Sequence, residues 1–397
     1  MSKSVYQPGR HFLQIPGPSN VPDRVLRAMA QPVIDHRGPE FPLLANRVQE
    51  KLRQVFKTRQ PVIIYPASGT GGWESSLLNT LSPGDKVLAF ETGHFATLWK
   101  NVAVKLGLDV DFVGGDWRHG VDLDAVEAKL KADLGKAIKA VCAVHTETST
   151  GINSDIKGIR KAIDAAGHPA LYMVDAVSSL ACSDFRFDEW GVDVCVSASQ
   201  KGLMLPPGLC FNAVSEKALA ASKASIAHHS YWRWDEMLAN NARGYFPYTP
   251  ATNLLYGLDE ALDMLAEEGL DNVFARHRRF AGATRAALDA WNLENLCLDD
   301  TSYSNSTTAV LMPEGHDADA LRGIILDTFN MSLGTGLGKV KGKVFRIGHI
   351  GDFNDLSLVG TLGGVEMGLA LAGVPHKKGG VRAAMDFLEG NEKGKKG

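Results

Sequence analysis

VIIYPASGTGGWESSLLNTL, residues 62–81, begins as a short apolar, β-branched run, passes through a glycine-rich turn and opens into a helical segment. The same alternation recurs along the chain. KVLAF at 86–90, DVDFV at 109–113, AVCAV at 140–144, LYMVD at 171–175, VDVCVS at 192–197 and LCFNAV at 209–214 read as strands separated by helical stretches. This is the signature of an α/β fold with a mainly parallel sheet covered by helices on both faces. Ligands gather at the carboxyl ends of such strands. Two of the connecting helices have readable starts: Asp122 precedes apolar residues at helical spacing up to Leu130, and Asp155 can cap the helix over 156–166.

Beyond residue 254 the pattern changes. LLYGLDEALDMLAEEGLDNVFARHRRFAGATRAALDAW predicts a long helical spine interrupted near Gly269, leading to an α+β region with TTAVLM at 307–312, a helix around 317–328 and KVFRIGHI at 343–350. A chain of 397 residues also exceeds the size at which one core stops growing. The expected organisation is an arm over 1–20, a large domain over 21–265, a small C-terminal domain over 266–385 and a flexible tail over 386–397.

Apolar residues make up 45% and charged residues 22% of the chain, as in ordinary globular proteins, and the formal charge of −3 gives no footprint for nucleic acid or an anionic membrane. The five cysteines lack CxxC spacing, so neither a disulfide framework nor a zinc site is indicated. No stretch has the length and apolarity of a membrane span or a signal-peptide core. A soluble, cytoplasmic protein is expected, with small molecules or its own copies as partners and no metal.

Four elements carry chemistry. In SASQKGLMLPPG, residues 197–208, Lys201 follows a strand end and so faces the ligand crevice; the alternative is a solvated surface lysine. Asp175 ends the LYMVD strand and points into the same crevice, where a carboxylate can hold a protonated ring nitrogen; alternatively it caps the next helix. The turn at 67–72 offers backbone amides and the hydroxyls of Ser68 and Thr70 to a phosphate, although it is neither a P-loop nor GxGxxG. Arg346, in KVFRIGHIG, can bind a carboxylate bidentately or make a structural salt bridge.

Taken with PGPSN at 16–20, the motifs ASGTGG, HTETSTG, VDAVSS, SASQKG, FPYTPA and VFRIGHIG resemble, in order, those of the class V aminotransferases, most closely the serine–glyoxylate and alanine–glyoxylate enzymes. The resemblance implies a fold-type I enzyme dependent on pyridoxal 5′-phosphate, with a mainly parallel seven-stranded sheet, a smaller C-terminal domain, and a homodimer whose active sites lie at the interface. It implies that Lys201 is the Schiff-base lysine and general base, and that Asp175 is the partner of the pyridine nitrogen. Gly71 and Gly72 correspond to phosphate-binding amides, with Gly69, Ser68, Thr70 and Gln200 in the same cradle. Phe95 stands where an aromatic ring covers the cofactor, and Thr148 where a hydroxyl meets the pyridine oxygen. Val177 completes the cofactor-binding set. Tyr245 and Thr249 resemble residues that reach the phosphate of the partner subunit. Gly17 and Arg346 form the substrate-binding set.

The implied reaction moves an amino group from a donor, L-serine first, to glyoxylate, giving glycine and the donor's 2-oxo acid. Alanine or aspartate as donor is the near alternative, and a lyase of the same fold the more distant one. Such a lyase would need a catalytic cysteine, for which Cys297 is the candidate outside the sheet motifs. Relatives often carry Asn at Thr146 and Gly at Ala176, and His36 and Arg37 lie in a shared stretch without an assigned role. Outside this chemistry, a nucleotide-binding dehydrogenase or a non-catalytic cofactor binder fits the same βα pattern.

Overall fold

A computed structural model describes residues 9–393. The chain opens with strand β1 (Phe12–Gln14) and helices α1 (Asp23–Met29) and α2 (Phe41–Phe56). It then builds a seven-stranded sheet from β2 (Val62–Tyr65), β3 (Lys86–Phe90), β4 (Asp109–Val113), β5 (Ile138–Val144), β8 (Leu171–Asp175), β9 (Val194–Ala198) and β10 (Cys210–Val214). Between β5 and β8 lies the small hairpin of β6 (Thr146–Glu147) and β7 (Ile152–Asn153).

The sheet order is β2-β10-β9-β8-β5-β3-β4, and only β10 runs against the rest. The expected seven-stranded, mainly parallel sheet is therefore present, and every strand run read from the sequence falls within two residues of its observed bounds. Crossovers are made by α3 (Gly69–Thr80), α4 (His94–Lys105), α5 (Leu123–Ala132) and α6 (Ile156–Ala165). The Asp122 side chain accepts from the amides of Asp124 and Ala125, and that of Asp155 from Gly158, N-caps worth about 1 kcal/mol each.

The chain leaves the sheet through α7 (Glu216–Ala224) and α8 (Trp234–Asn241) and enters the spine of α9 (Thr252–Glu268) and α10 (Leu270–Trp291). Gly269 separates these two helices at φ +80°, a conformation that a glycine adopts without the Cβ penalty. A second sheet follows, from β11 (Glu294–Asn295), β12 (Thr307–Leu311), β13 (Met331–Thr335) and β14 (Val344–Gly348), together with α11 (Ala318–Phe329), α12 (Asp355–Leu371) and α13 (Gly380–Lys393).

Its strand order, β1-β13-β14-β12-β11, recruits β1 from the far end of the chain: Phe12 to Gln14 pair in parallel with Met331 to Leu333. Part of the expected N-terminal arm is thus an edge strand. Residues 386–393, expected in a flexible tail, are the last turns of α13, while residues 1–8 and 394–397 of the expected arm and tail lie outside the described residues. Two buried clusters cover the two faces of the first sheet, and a third, around Phe280, Trp291, Phe345 and Leu362, fills the space beneath the second.

Candidate active site

At the carboxyl ends of β8 and β9 a cavity of about 710 Å³, partly open to solvent, is lined by Gly17, Pro18, Ser68, Gly69, Thr70, Trp73, Phe95, Thr146, Thr148, Asp175, Val177, Ser178, Gln200 and Lys201. β8 and β9 are parallel neighbours, with Asp175 in register with Val196, so Asp175 at one strand end and Lys201 in the segment after the next converge from adjacent strands.

Asp175 is 4% exposed. Its Oδ1 accepts from the Val177 amide at 2.7 Å and its Oδ2 from the Trp73 indole at 3.0 Å. Burial pushes its pKa up to about 7, and the nearby charge of Glu147 adds to the rise; the two hydrogen bonds and Lys201 oppose it.

The Lys201 amine is brought down to about 8, first by burial and then by the positive charge of Arg346, with Asp175 pulling the other way. For both groups burial outweighs their mutual attraction. A lysine in this state has an amine that can act as a nucleophile or a base near neutral pH.

The PGPSN segment forms the roof of Lys201. Its Nζ donates to the Pro16 carbonyl, Ser19 Oγ donates to the Lys201 carbonyl at 2.9 Å, and the Ser19 amide donates to the Gln200 carbonyl at 3.0 Å. Gly17 has φ +110°, and a Cβ there would lie 2.5 Å from Lys201 Nζ. Only glycine lets the roof come this close.

At the glycine-rich turn the amides divide into two pairs. Ser68 precedes α3 in extended conformation, and its carbonyl already accepts from Gly71 at 2.9 Å and from Gly72 at 3.3 Å. A Cβ on Gly71 would meet Trp232 at 2.8 Å, and one on Gly72 would meet Val196 at 2.7 Å. These two glycines therefore allow close packing of α3, and neither lines the cavity. The amides without a backbone acceptor at the helix start are those of Gly69 and Thr70, which do line it.

Arg346, on β14, does not itself line the cavity but lies directly behind its Thr148 wall. It is 7% exposed, and Nε and Nη1 donate to the carbonyls of Thr335 at 2.8 Å and Thr148 at 2.9 Å. Burial holds its guanidinium below the usual arginine value, at about 10. Tyr245 and Thr249, between α8 and α9, do not line this chain's cavity. His36 and Arg37, between α1 and α2, do not line it either. Thr146 is in the wall with its Oγ1 bonded to Asn153 Oδ1 at 2.5 Å, whereas Ala176 is buried beneath.

Several residues at the site had no assigned role. Trp73 and Ser178 line the cavity, and Glu147, fully buried, accepts from the amides of Phe95 at 3.3 Å and Ala96 at 3.0 Å and from the Ser149 hydroxyl at 2.6 Å. Glu147 thereby holds the first turn of α4, on which Phe95 sits. Both Trp73 and Glu147 stand inside motifs already singled out, so their neighbours were the available signal. Cys297 is buried away from the cavity, its thiol donating to the Asp299 carbonyl and pushed up by burial to about 11, so it does not supply a lyase's reactive thiolate. All five cysteines are free and buried, and the described residues hold no cluster suited to a metal and no helix long and apolar enough to cross a membrane.

This fold, with a buried lysine and aspartate at adjacent strand ends, is that of a fold-type I enzyme dependent on pyridoxal 5′-phosphate. The chain belongs to the class V aminotransferase family, whose model matches residues 11–339, and it is an aminotransferase. It is 48% identical to a serine–glyoxylate aminotransferase from Methylorubrum extorquens over 97% of this chain and 98% of that one. It is 46% identical to an L-aspartate–glyoxylate aminotransferase from Paracoccus denitrificans over 94% of each. The solved pyridoxamine–pyruvate aminotransferase of Mesorhizobium loti superposes with a TM-score of 0.90 at 29% identity, covering 97% of this chain and 99% of that one.

The residues present fit the cofactor. The amides of Gly69 and Thr70, at the start of α3 on the cavity wall, have no acceptor among the described residues and suit an anion. An anionic Asp175 in a buried setting calls for a cationic partner such as a protonated ring nitrogen.

Proposed function

We propose that this chain transfers the amino group of a small amino acid, L-serine first, to glyoxylate, producing glycine and the donor's 2-oxo acid. The observation that carries this reading is the convergence of Lys201, Asp175 and the Gly69–Thr70 amides on one cavity under a roof that tolerates no side chain at Gly17. The serine–glyoxylate relative supports the donor and acceptor. Aspartate is the second reading, supported by the relative from Paracoccus denitrificans, and alanine the third.

When bound, pyridoxal phosphate supplies a carbonyl carbon that accepts an amine and a ring that delocalises the electron pair left at the substrate's α-carbon. Asp175 would hold the proton of the ring nitrogen. Ser68, Gly69, Thr70 and Gln200 would hold the phosphate, and Phe95, Val177 and Thr148 would hold the ring and its hydroxyl. Lys201, whose Nζ enters the same cavity, would hold the cofactor's carbonyl end, and its amine would serve as the base that takes the proton from the substrate's α-carbon. Arg346, fixed through Nε and Nη1, offers its remaining amino group to the substrate carboxylate.

The proposed assembly is a homodimer in which Tyr245 and Thr249 complete the partner's phosphate site. Their absence from the cavity of their own chain supports it, as do the exposed side chains of Val33, Leu43, Ile226 and Tyr231. Five unpaired cysteines suit the proposed cytoplasmic setting.

The test is a donor screen at constant glyoxylate, comparing kcat/KM for serine, alanine and aspartate, with initial rates over both substrates. Serine is expected to lead, with parallel reciprocal plots, and Lys201→Ala is expected to lose at least about 100-fold in rate. Intersecting plots, or Lys201→Ala turning over at the full rate, would overturn the scheme.

A further inference from the structure

The carboxylate of Asp175 is held at both oxygens, and one of its two donors is a side chain. Trp73, in the second turn of α3, is 3% exposed and lines the cavity. Its indole Nε1 donates to Asp175 Oδ2 at 3.0 Å, and its ring stacks on Trp99 with centroids 6.0 Å apart and planes 13° from parallel. The stack fixes the plane of the indole, and the N–H fixes the carboxylate. For packing alone a phenylalanine would serve; the N–H serves only the carboxylate.

We propose that Trp73 is a positioning residue for transamination: it keeps Asp175 ionised and aims its free lone pairs at the cofactor's ring nitrogen. This rests on the reading of Asp175 as that nitrogen's partner. The charged groups that face Asp175 are Lys201 from the segment after β9, which favours the anion, and Glu147 from β6, which disfavours it; Arg346 from β14 acts through Lys201. Burial also disfavours the anion. Two donors and one cation therefore stand against burial and a like charge. A neutral Asp175 would itself carry the proton that the ring nitrogen must hold, so the indole N–H decides how far down in pH the site keeps its cofactor.

The experiment is equilibrium dialysis of pyridoxal 5′-phosphate against wild type, Trp73→Phe, Asp175→Asn and the double variant from pH 5.5 to 9. Trp73→Phe should weaken binding about tenfold near neutrality, as expected for one hydrogen bond to a charged group. It should also move the acid midpoint of cofactor loss upward by about one pH unit, since removing a donor from the anion raises its pKa. Asp175→Asn should abolish that midpoint, and adding Trp73→Phe to it should change affinity by less than about threefold.

Trp73→His, which keeps a ring and a donor, should return the midpoint to within about half a unit of wild type. Wild-type affinity and midpoint in Trp73→Phe would overturn the proposal. So would an equal loss in the Asp175→Asn background, since that marks packing alone. Wild-type behaviour in Asp175→Asn would instead overturn the Asp175 reading itself, and the proposal with it. Should Trp73→Phe not fold, Trp73→Tyr tests the same loss of the indole N–H.

Discussion

Replacing Gly17 with alanine should slow catalysis far more than it destabilises the protein. The new Cβ would lie 2.5 Å from Nζ and Cδ of Lys201 and 2.6 Å from Cε. Carbon atoms settle at about 3.5 Å or beyond, so one side must retreat by about 1 Å. The far end of a lysine is the softer side, and it gives way, releasing its bond to the Pro16 carbonyl. The backbone at φ +110° adds strain of about 1–2 kcal/mol, well short of unfolding a chain of this size.

A displacement of about 1 Å at a reacting group can cost about 100-fold, which sets the expected loss. The assay is exchange of the donor's α-proton with deuterated water, followed by NMR with the enzyme saturated in pyridoxal phosphate and no glyoxylate. It isolates the proton transfer assigned to Lys201. Denaturant unfolding of the same sample tests the stability half. Exchange within threefold of wild type in a folded Gly17→Ala protein would show that the roof does not hold the lysine in place, and would refute the reasoning.

Arg346→Lys should raise KM for donor and glyoxylate alike by more than about tenfold with a smaller effect on kcat, because a lysine cannot hold the Thr335 and Thr148 carbonyls and still present a fork. A fall in kcat at unchanged KM in steady-state assays would contradict a role in carboxylate binding. Stability should decline as pH falls from 6.5 towards 4. His145 is held down to about 4 and His277 and His349 to about 3, in each case by burial, so the folded chain binds fewer protons than the unfolded one in this window. Each histidine contributes up to about 1.4 kcal/mol per pH unit, and Asp175, raised to about 7, offsets one of the three, so these four groups together give a slope of up to roughly 3 kcal/mol per unit. His277 shows why protonation is excluded: Nδ1 donates to the Val273 carbonyl and Nε2 accepts from the Gly351 amide. Guanidinium unfolding of cofactor-free protein at pH 7 and 5 checks this, and equal midpoints would count against it.

The sheet was legible because its strands are short apolar runs closed by glycine, proline or aspartate, and such runs have few other readings. α12 was not. Its run LVGTLGGVEMGLALAG is apolar on every side and rich in glycine, so it has no helical period and poor helix propensity. The structure supplies the reason: a Cβ on Gly364 would meet Met331 at 2.6 Å and one on Gly368 would meet Ile325 at 2.3 Å, so the glycines buy close contact with β13 and α11. β1 was missed for a different reason. Three residues carry no periodicity, and their partner β13 lies more than 300 residues further along the chain.

The site divides along similar lines. Lys201, Asp175 and the turn at 68–70 stand at strand ends, where position alone implies a crevice. A glycine run does not reveal which amides the helix keeps for itself: the Ser68 carbonyl takes those of Gly71 and Gly72, and those of Gly69 and Thr70 remain free. Trp73 lies four residues beyond Gly69, one helical turn on the same face. What the sequence could not convey is that its N–H meets a carboxylate 102 positions away, a contact created only by packing α3 against the strand end at Asp175. Close packing by Gly69, whose Cβ would stand 2.8 Å from Val177, brings the two together. The glycines that read as phosphate ligands thus have a second effect: they seat the helix whose tryptophan holds the aspartate.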